Sequence, residues 1–309
     1  MLDFKPIISI NGRIGSSLDS LDRGLAYGDG LFETLLLHQN TLPYWADHIE
    51  RLQTDSARLK IHVDQNLLVE YVLHLMEMAK ANQISDGLIK IIVTRGAAGR
   101  GYQPTLTVAP TIVVMLLPMP LIPESFYEQG VDVFICKHRL PHNELLAGIK
   151  HLNKLDYVLA ALEWNQESYQ EALLFDIENN LIEAISRNIF VVKDGEVFTP
   201  SLKKTGVEGI AKKNIVRLIK NELNVKLIEM NIHLEFLLSA DEVFLSNSVT
   251  GIWPVKTILG TPVNEKENLN MTDKKSMTRS LQDRMDEDLQ LKSQRRMPPA
   301  NTQQKSFLE

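Results

Sequence analysis

One cysteine, Cys136, is all that the 309 residues contain, so no internal disulfide can form. Its surroundings, GVDVFICKH, read as a buried strand rather than as the setting of a reactive thiol, and such usage fits a reducing compartment. No apolar run approaches the roughly 18 residues that a membrane span needs, and the start, MLDFKPIISI, has no basic stretch leading into an apolar core. A cytoplasmic protein without membrane contact is expected. Base is also in short supply. With 33 Lys and Arg against 39 Asp and Glu the formal net charge is -6, which argues against nucleic acid as a partner, because phosphate backbones select a basic excess or stripe. The histidines are scattered: His48, His74, His142 and His151 form no spacing such as HExxH, and no metal is expected.

What is present is ordinary globular material, 44% hydrophobic and 23% charged, long enough for two packed domains. PIISINGRIG reads as two strands around an Asn11-Gly12 turn, and helices follow in YWADHIERLQTDSARLKI and NLLVEYVLHLMEMAKA. GLIKIIVTR and TLTVAPTIVVMLL are β-branched strand candidates, after which Pro118, Pro120 and Pro123 interrupt the pattern. Residues 1–118 are therefore expected as a small N-terminal domain, 119–124 as a linker and 125–270 as a larger C-terminal domain.

The second part reads as the strand GVDVFICKH, the helix LDYVLAALEWNQ and two hairpins, EALLFDIENNLIEA and NIFVVKDGEVFTP, the latter turning at Asp194-Gly195. IAKKNIVRLIKNEL (helix), VKLIEMNI (strand), LEFLLSA (short helix) and DEVFLSN (strand) follow. Hairpins rather than regular βαβ units give an α+β class. Residues 271–309 form a polar tail, and from Met285 disorder is expected.

Two lysines in LLAGIKHLNKLDYVLA can be separated by period. Leu152, Leu155, Leu159 and Leu162 recur every three or four residues, leaving Lys154 well off the stripe as a solvated surface lysine. Lys150 instead leaves a Gly-containing apolar segment beside Ile149. Burial there favours the neutral amine that covalent chemistry with carbonyls requires. On local pattern alone a catalytic lysine and a snorkelling structural one both remain open.

LAGIKHLN, together with RGLAYGDGLFET (Arg23 to Thr34) and RGAAGRGY (Arg95 to Tyr102), resembles the fold-type IV family of pyridoxal-phosphate enzymes. Within that family the aminodeoxychorismate lyases are most similar, from about Ile8 to about Leu259. The resemblance implies a D-amino-acid-aminotransferase-like fold of two domains and pyridoxal 5'-phosphate as cofactor, held by the amine of Lys150. It implies Glu183 as the carboxylate on the pyridine nitrogen, keeping the ring an electron acceptor, and Arg51 as a phosphate arginine. Gly209 and Ile210 would offer phosphate the free N–H groups that open a helix. Ser248 would add a hydroxyl, and Tyr27 would lie near the cofactor.

In the lyases, Arg100 and Tyr102 correspond to residues near the substrate carboxylates. The order of glycines there is GxxGxG with no helix plainly following, so it is not a dinucleotide fingerprint. Thr34 corresponds to a catalytic threonine beside the lysine. The implied reaction converts 4-amino-4-deoxychorismate to 4-aminobenzoate and pyruvate, a step towards folate, in a homodimer. An aminotransferase acting on D-amino or branched-chain amino acids is the alternative reading, and a non-catalytic binding homologue a remote one.

Overall fold

Asn11 and Gly12 turn the chain with positive φ, 49° and 77°, the type I′ conformation that matches strand twist. The computed structural model describes residues 4–15, 17–97, 101–165, 167–223, 225–263 and 276–294. The chain divides into two compact units. The first comprises Met1–Pro120, Lys150–Asn153 and Leu289–Glu309, and the second Leu121–Ile149 and Lys154–Asp288. A four-residue piece carrying Lys150 thus groups with the N-terminal unit, which no composition shift announces.

The first unit runs β1 (Ile7–Ile10), β2 (Arg13–Ile14), α1 (Arg23–Tyr27), β3 (Gly30–Leu37), α2 (Trp45–Arg58), α3 (Gln65–Ala81), β4 (Gly87–Thr94) and β5 (Thr111–Leu117). Its antiparallel sheet has the order β2-β1-β5-β4-β3, with Thr34 opposite Lys90. The stretch TLTVAP ahead of Thr111, read above as strand, is outside β5; Pro110 cannot donate to a ladder. In β3 the period of two is strict: Leu31, Glu33, Leu35 and Leu37 are buried, while Phe32, Thr34 and Leu36 are half-buried. Helix α2 packs on β3.

The second unit contains α4 (Ser125–Glu128), β6 (Val131–Leu140), α5 (Leu155–Ala161), β7 (Glu171–Asp176), β8 (Leu181–Ala184), β9 (Asn188–Lys193) and β10 (Glu196–Pro200). It continues with α6 (Ile210–Glu222), β11 (Leu227–Met230), α7 (Leu234–Leu238), β12 (Glu242–Asn247), β13 (Gly251–Ile258), β14 (Thr261–Pro262) and α8 (Met277–Ser293), whose residues from Leu289 group with the first unit. Its sheet has the order β11-β10-β9-β12-β13-β6-β7-β8, with β14 on β13. Apolar side chains pack on both faces: Val133, Leu173, Val191, Leu245 and Trp253 in one cluster, Phe190, Ile215, Ile219 and Phe244 in another. Phe190 and Phe244 stack at 4.9 Å between centroids.

Two readings of the sequence are corrected here. Helix α5 begins at Leu155, leaving Leu152 outside it, and its leucine stripe faces outward, with Leu155, Leu159 and Leu162 exposed. The helix docks instead through Ala160 and Tyr157 against Cys136 and Leu140 of β6. The expected disorder from Met285 is replaced, up to Ser293, by α8; residues 295–309 lie outside the described residues. The helix is polar on average, yet Thr278, Leu281, Gln282 and Met285 are buried at helical spacing. Leu281 and Met285 join the Phe190 cluster. Both Glu242 carboxylate oxygens accept from the helix's first amides, Met277 and Thr278, at 2.9 Å, filling orphan donors. We expect Leu281→Ala to lower the unfolding free energy in urea by about 2–4 kcal/mol; a change below about 0.5 kcal/mol would mean α8 is not part of the core.

Candidate active site

Lys150 is fixed by its peptide on both sides, within the first unit. Its N–H donates to Asp55 Oδ2 at 3.1 Å and its carbonyl accepts from Phe32 N–H at 3.1 Å. Leu31 bridges His151, and Leu152 N–H donates to the Gly30 carbonyl at 2.9 Å, so residues 150–152 pair with the edge of β3. Lys150 Nζ lies 4.2 Å from the Phe32 ring centroid, with Lys90 Nζ 5.6 Å from the same ring. Alternation along β3 puts Thr34 on the face of Phe32, hence on the side of the lysine.

The opposite face carries Glu33, 1% exposed. Such a carboxylate needs partners, and α2 supplies them one turn apart. His48 Nδ1 donates to Glu33 Oε2 at 2.6 Å and Arg51 Nε to Oε1 at 2.8 Å, with Arg51 Nη2 also on Oε2. Burial raises the Glu33 carboxyl, but Arg51 and His48 outweigh that and hold it down to about 2. Burial pushes His48 below the usual imidazole range against the pull of Glu33. We take Glu33 as ionised against Arg51, with His48 a neutral donor. The guanidinium of Arg51 is thus presented by its Nε–Nη2 edge to Glu33.

Arg23 organises a second cluster in this unit. Asp29 accepts from Arg23 Nε at 2.9 Å and from Arg95 Nε at 2.8 Å. Burial opposes ionisation of Asp29, and the two guanidiniums overcome it, leaving the carboxyl below its ordinary range. Arg23 also donates to the carbonyls of Gly101 and Tyr102, at 2.8 and 3.2 Å, and stacks 4.7 Å over Tyr27. Tyr27 and Tyr102 pair at 5.7 Å, with Tyr102 88% exposed. Two residues given separate roles above therefore touch one another. Arg100 lies outside the described residues.

In the second unit Glu183 is buried and accepts from Val207 N–H at 3.1 Å, Asn188 Nδ2 at 3.3 Å and the Tyr157 hydroxyl. Burial, then the Glu183 charge, push the Tyr157 phenol well above its usual range, so it stays a donor. At 3% exposure Glu183 is not a solvated surface acid of its hairpin. Lys154 is corrected too. It is half-buried at the start of α5, 4.3 Å over the Tyr157 ring, and burial depresses its pKa while Glu183 raises it.

Gly206 has φ +95°, and a Cβ there would meet Ile182 and Leu202 at 2.8 Å. A Cβ on Gly209 would lie 2.0 Å from Asn188 Oδ1. Gly209 is the N-cap of α6, without a side-chain cap and with no acid in the first turn, so Ile210 opens a helix end that favours an anion. The segment before Lys150 is paired here as well: Gly148 N–H donates to the Gly206 carbonyl at 3.0 Å, and Glu208 N–H to that of Gly148 at 3.1 Å.

Ser248 sits in the turn joining β12 to β13. Asn247 Oδ1 accepts from Val249 and Thr250 N–H at 3.1 and 2.8 Å, and Arg187 donates to Thr250 Oγ1. Arg187 is buried over Trp253, 3.2 Å from the centroid, and burial brings it to about 10. His142, Asp176 and Glu178 bring ligand atoms within 4.8 Å of one another, though their spacing matches no metal motif. There Lys204 donates to both Glu178 oxygens at 2.9 Å and Asn180 to Asp176. Among the described residues no helix is long and apolar enough to cross a membrane.

Sequence reasoning missed Glu33, His48, Asp55, Tyr157, Asn188 and Arg187. The i, i+3, i+7 spacing of His48, Arg51 and Asp55 on one amphipathic helix was the available signal, since three polar residues on what should be an inward face need partners.

Residues 30–258 match the family described as amino-transferase class IV. The aminodeoxychorismate lyase of Vibrio harveyi is 33% identical over 251 residues, 81% of this chain and 90% of its own. A putative branched-chain-amino-acid aminotransferase of Methanocaldococcus jannaschii is 32% identical over 273 residues, 86% of this chain and 93% of its own. The crystal structure of 4-amino-4-deoxychorismate lyase from Pseudomonas aeruginosa has a TM-score of 0.82 at 36% identity, covering 92% of this chain and 99% of its own.

Proposed function

Because the chain belongs to the amino-transferase class IV family, we propose that it is a pyridoxal-5'-phosphate enzyme that splits 4-amino-4-deoxychorismate into 4-aminobenzoate and pyruvate. The observation that carries this reading is Lys150, clamped by its peptide and set with its amine over Phe32, on the face of β3 that bears Thr34. Similarity to the two lyases supports the choice of substrate.

The residues fit the cofactor. The uncapped start of α6 at Gly209, where a Cβ would meet Asn188, and Ile210 suits a phosphate, and Ser248 and Arg51 would add a hydroxyl and a guanidinium. Glu183, buried and held by three donors, suits a pyridinium nitrogen. When bound, the cofactor supplies an electron sink for the substrate carbon next to the amine.

The chain's own groups do the rest. Lys150 takes the proton from C4 as general base. The Thr34 hydroxyl gives a proton to the departing enolpyruvyl oxygen as the C3–O bond breaks, the proton taken from C4 restores it, and the released enol tautomerises to pyruvate, leaving the ring an aromatic amine. Tyr27 would pack near the cofactor, and Arg100 and Tyr102 would meet the substrate carboxylates. Tyr157 holds the charge of Glu183 in place, so Tyr157→Phe should lower turnover about tenfold, with little change in the KM for substrate. Unchanged kinetics would remove the phenol from the site.

The test supplies aminodeoxychorismate, made in place from chorismate and glutamine by the partner synthase, and follows 4-aminobenzoate and pyruvate. Neither product, with pyruvate formed from D-alanine and 2-oxoglutarate, would establish the second reading, an aminotransferase, which the Methanocaldococcus jannaschii relative favours by its near-equal identity. We infer a cytoplasmic homodimer. The exposed leucines 145, 155 and 162 are apolar surface that a second copy would cover, and light scattering on the purified protein measures the mass.

A further inference from the structure

Asp55 has no part in the chemistry outlined above, yet it is 5% exposed and its carboxylate is spent on the peptide of the reactive lysine. Helix α2 presents His48, Arg51 and Asp55 on one side. The first two close on Glu33 of β3, while the third reaches Lys150, which is joined by its carbonyl to Phe32 of the same strand. One helix face thereby grips both the strand and the segment laid along it. A hydroxyl or amide could accept the same N–H; a carboxylate makes the bond charge-assisted and places negative charge against the peptide from which the Lys150 side chain springs.

We propose that Asp55 is a positioning residue for Lys150, fixing the peptide of that lysine and favouring the cationic form at its amine end. The inference rests on the reading of Lys150 as the cofactor-holding lysine. The other charged groups facing this corner are Arg51, Arg58 and His48 from α2, Glu33 from β3 and Lys90 from β4. Burial leaves the Asp55 carboxyl above its ordinary range, although the Lys150 N–H and the Arg51 guanidinium pull against it.

The experiment uses the full chain loaded with pyridoxal 5'-phosphate. Borohydride reduction followed by peptide mass analysis reports where the cofactor is attached, and a pH titration of the visible absorbance reports the proton held at the attachment. Asp55→Asn keeps an acceptor of the same shape and loses the charge. It should retain attachment at Lys150 and move the titration midpoint down by about half to one pH unit, because an opposite charge favours the protonated form. Asp55→Ala should move it at least as far and lower kcat about tenfold more than Asp55→Asn does. A midpoint in Asp55→Asn equal to that of the unmodified protein overturns the proposal, whatever the alanine variant does. Attachment that persists in Lys150→Ala would instead overturn the underlying reading of the lysine, and the two failures are separate observations.

Discussion

Lys150→Ala is expected to lower formation of 4-aminobenzoate and pyruvate by at least about 10³-fold, because the proposed role gives this lysine both the covalent hold on the cofactor and the general base. The fold should survive. The lysine contributes its peptide, not its side chain, to the strand-like pairing with β3, and that pairing is open to alanine. The circular dichroism spectrum and melting temperature should therefore stay close to those of the unmodified protein. Lys154→Ala offers the internal contrast. Its ammonium lies over Tyr157 in the second unit, where it senses Glu183, and its loss should cost less than about tenfold. Product yields from equal amounts of the two variants decide the matter. Comparable losses in both would deny Lys150 its special place.

The largest expected effect on stability belongs to Glu33. Glu33→Gln puts an amide NH₂ where Arg51 Nη2 and His48 donate, leaving a guanidinium with side-chain exposure of only 10% short of its counter-charge. Breaking a buried pair on one side costs about 3–5 kcal/mol, which for a chain of this size corresponds to a melting temperature lower by about 10 °C. The pH dependence follows from the same group. With its pKa held down to about 2, Glu33 contributes fully above the ordinary glutamate value of 4.5 and loses that contribution as the pH falls from there towards 2. The unmodified protein should thus lose stability over this window faster than Glu33→Gln does. Urea midpoints at pH 3, 4, 5 and 7 measure it; parallel curves for the two proteins would show that Glu33 is not the group titrating.

Much of the fold is written in local pattern. The Asn11-Gly12 and Asp194-Gly195 turns, the amphipathic α2 and α6, and the β7-β8 and β9-β10 hairpins all follow from residues adjacent in the chain. What local pattern hides is long-range compensation. β3 breaks the apolar alternation with a glutamate at an inward position, which is tolerable only because α2 delivers an arginine and a histidine to it. α8 reads as polar because its inward face is two apolar and two polar residues wide, and Gln282 is satisfied by the carbonyls of Tyr127 and Ile252. The leucine stripe of α5 has the right period but the wrong side, since period fixes which residues share a face and not what that face meets.

The same limit applies to the candidate site. Lys150, Glu183, Arg51 and the Gly209–Ile210 helix start enter the candidate site only through the family motifs. The residues that hold them, Asp55, Tyr157, Asn188 and Glu33, were not legible, because each is defined by a partner 5 to 95 positions away.

The pairing of residues 150–152 with β3 also bears on how the chain is made. β3 is the last strand in its sheet's order, and its neighbour on the open side is supplied by a segment whose anchor to α2 spans 95 positions. During synthesis the rest of that sheet is available long before His151 and Leu152 emerge. Over that interval β3 presents unpaired backbone groups, a template for joining another nascent chain. The stretch that carries Lys150 therefore doubles as the seal on an aggregation-prone edge, and chains ending before it should collect in the insoluble fraction.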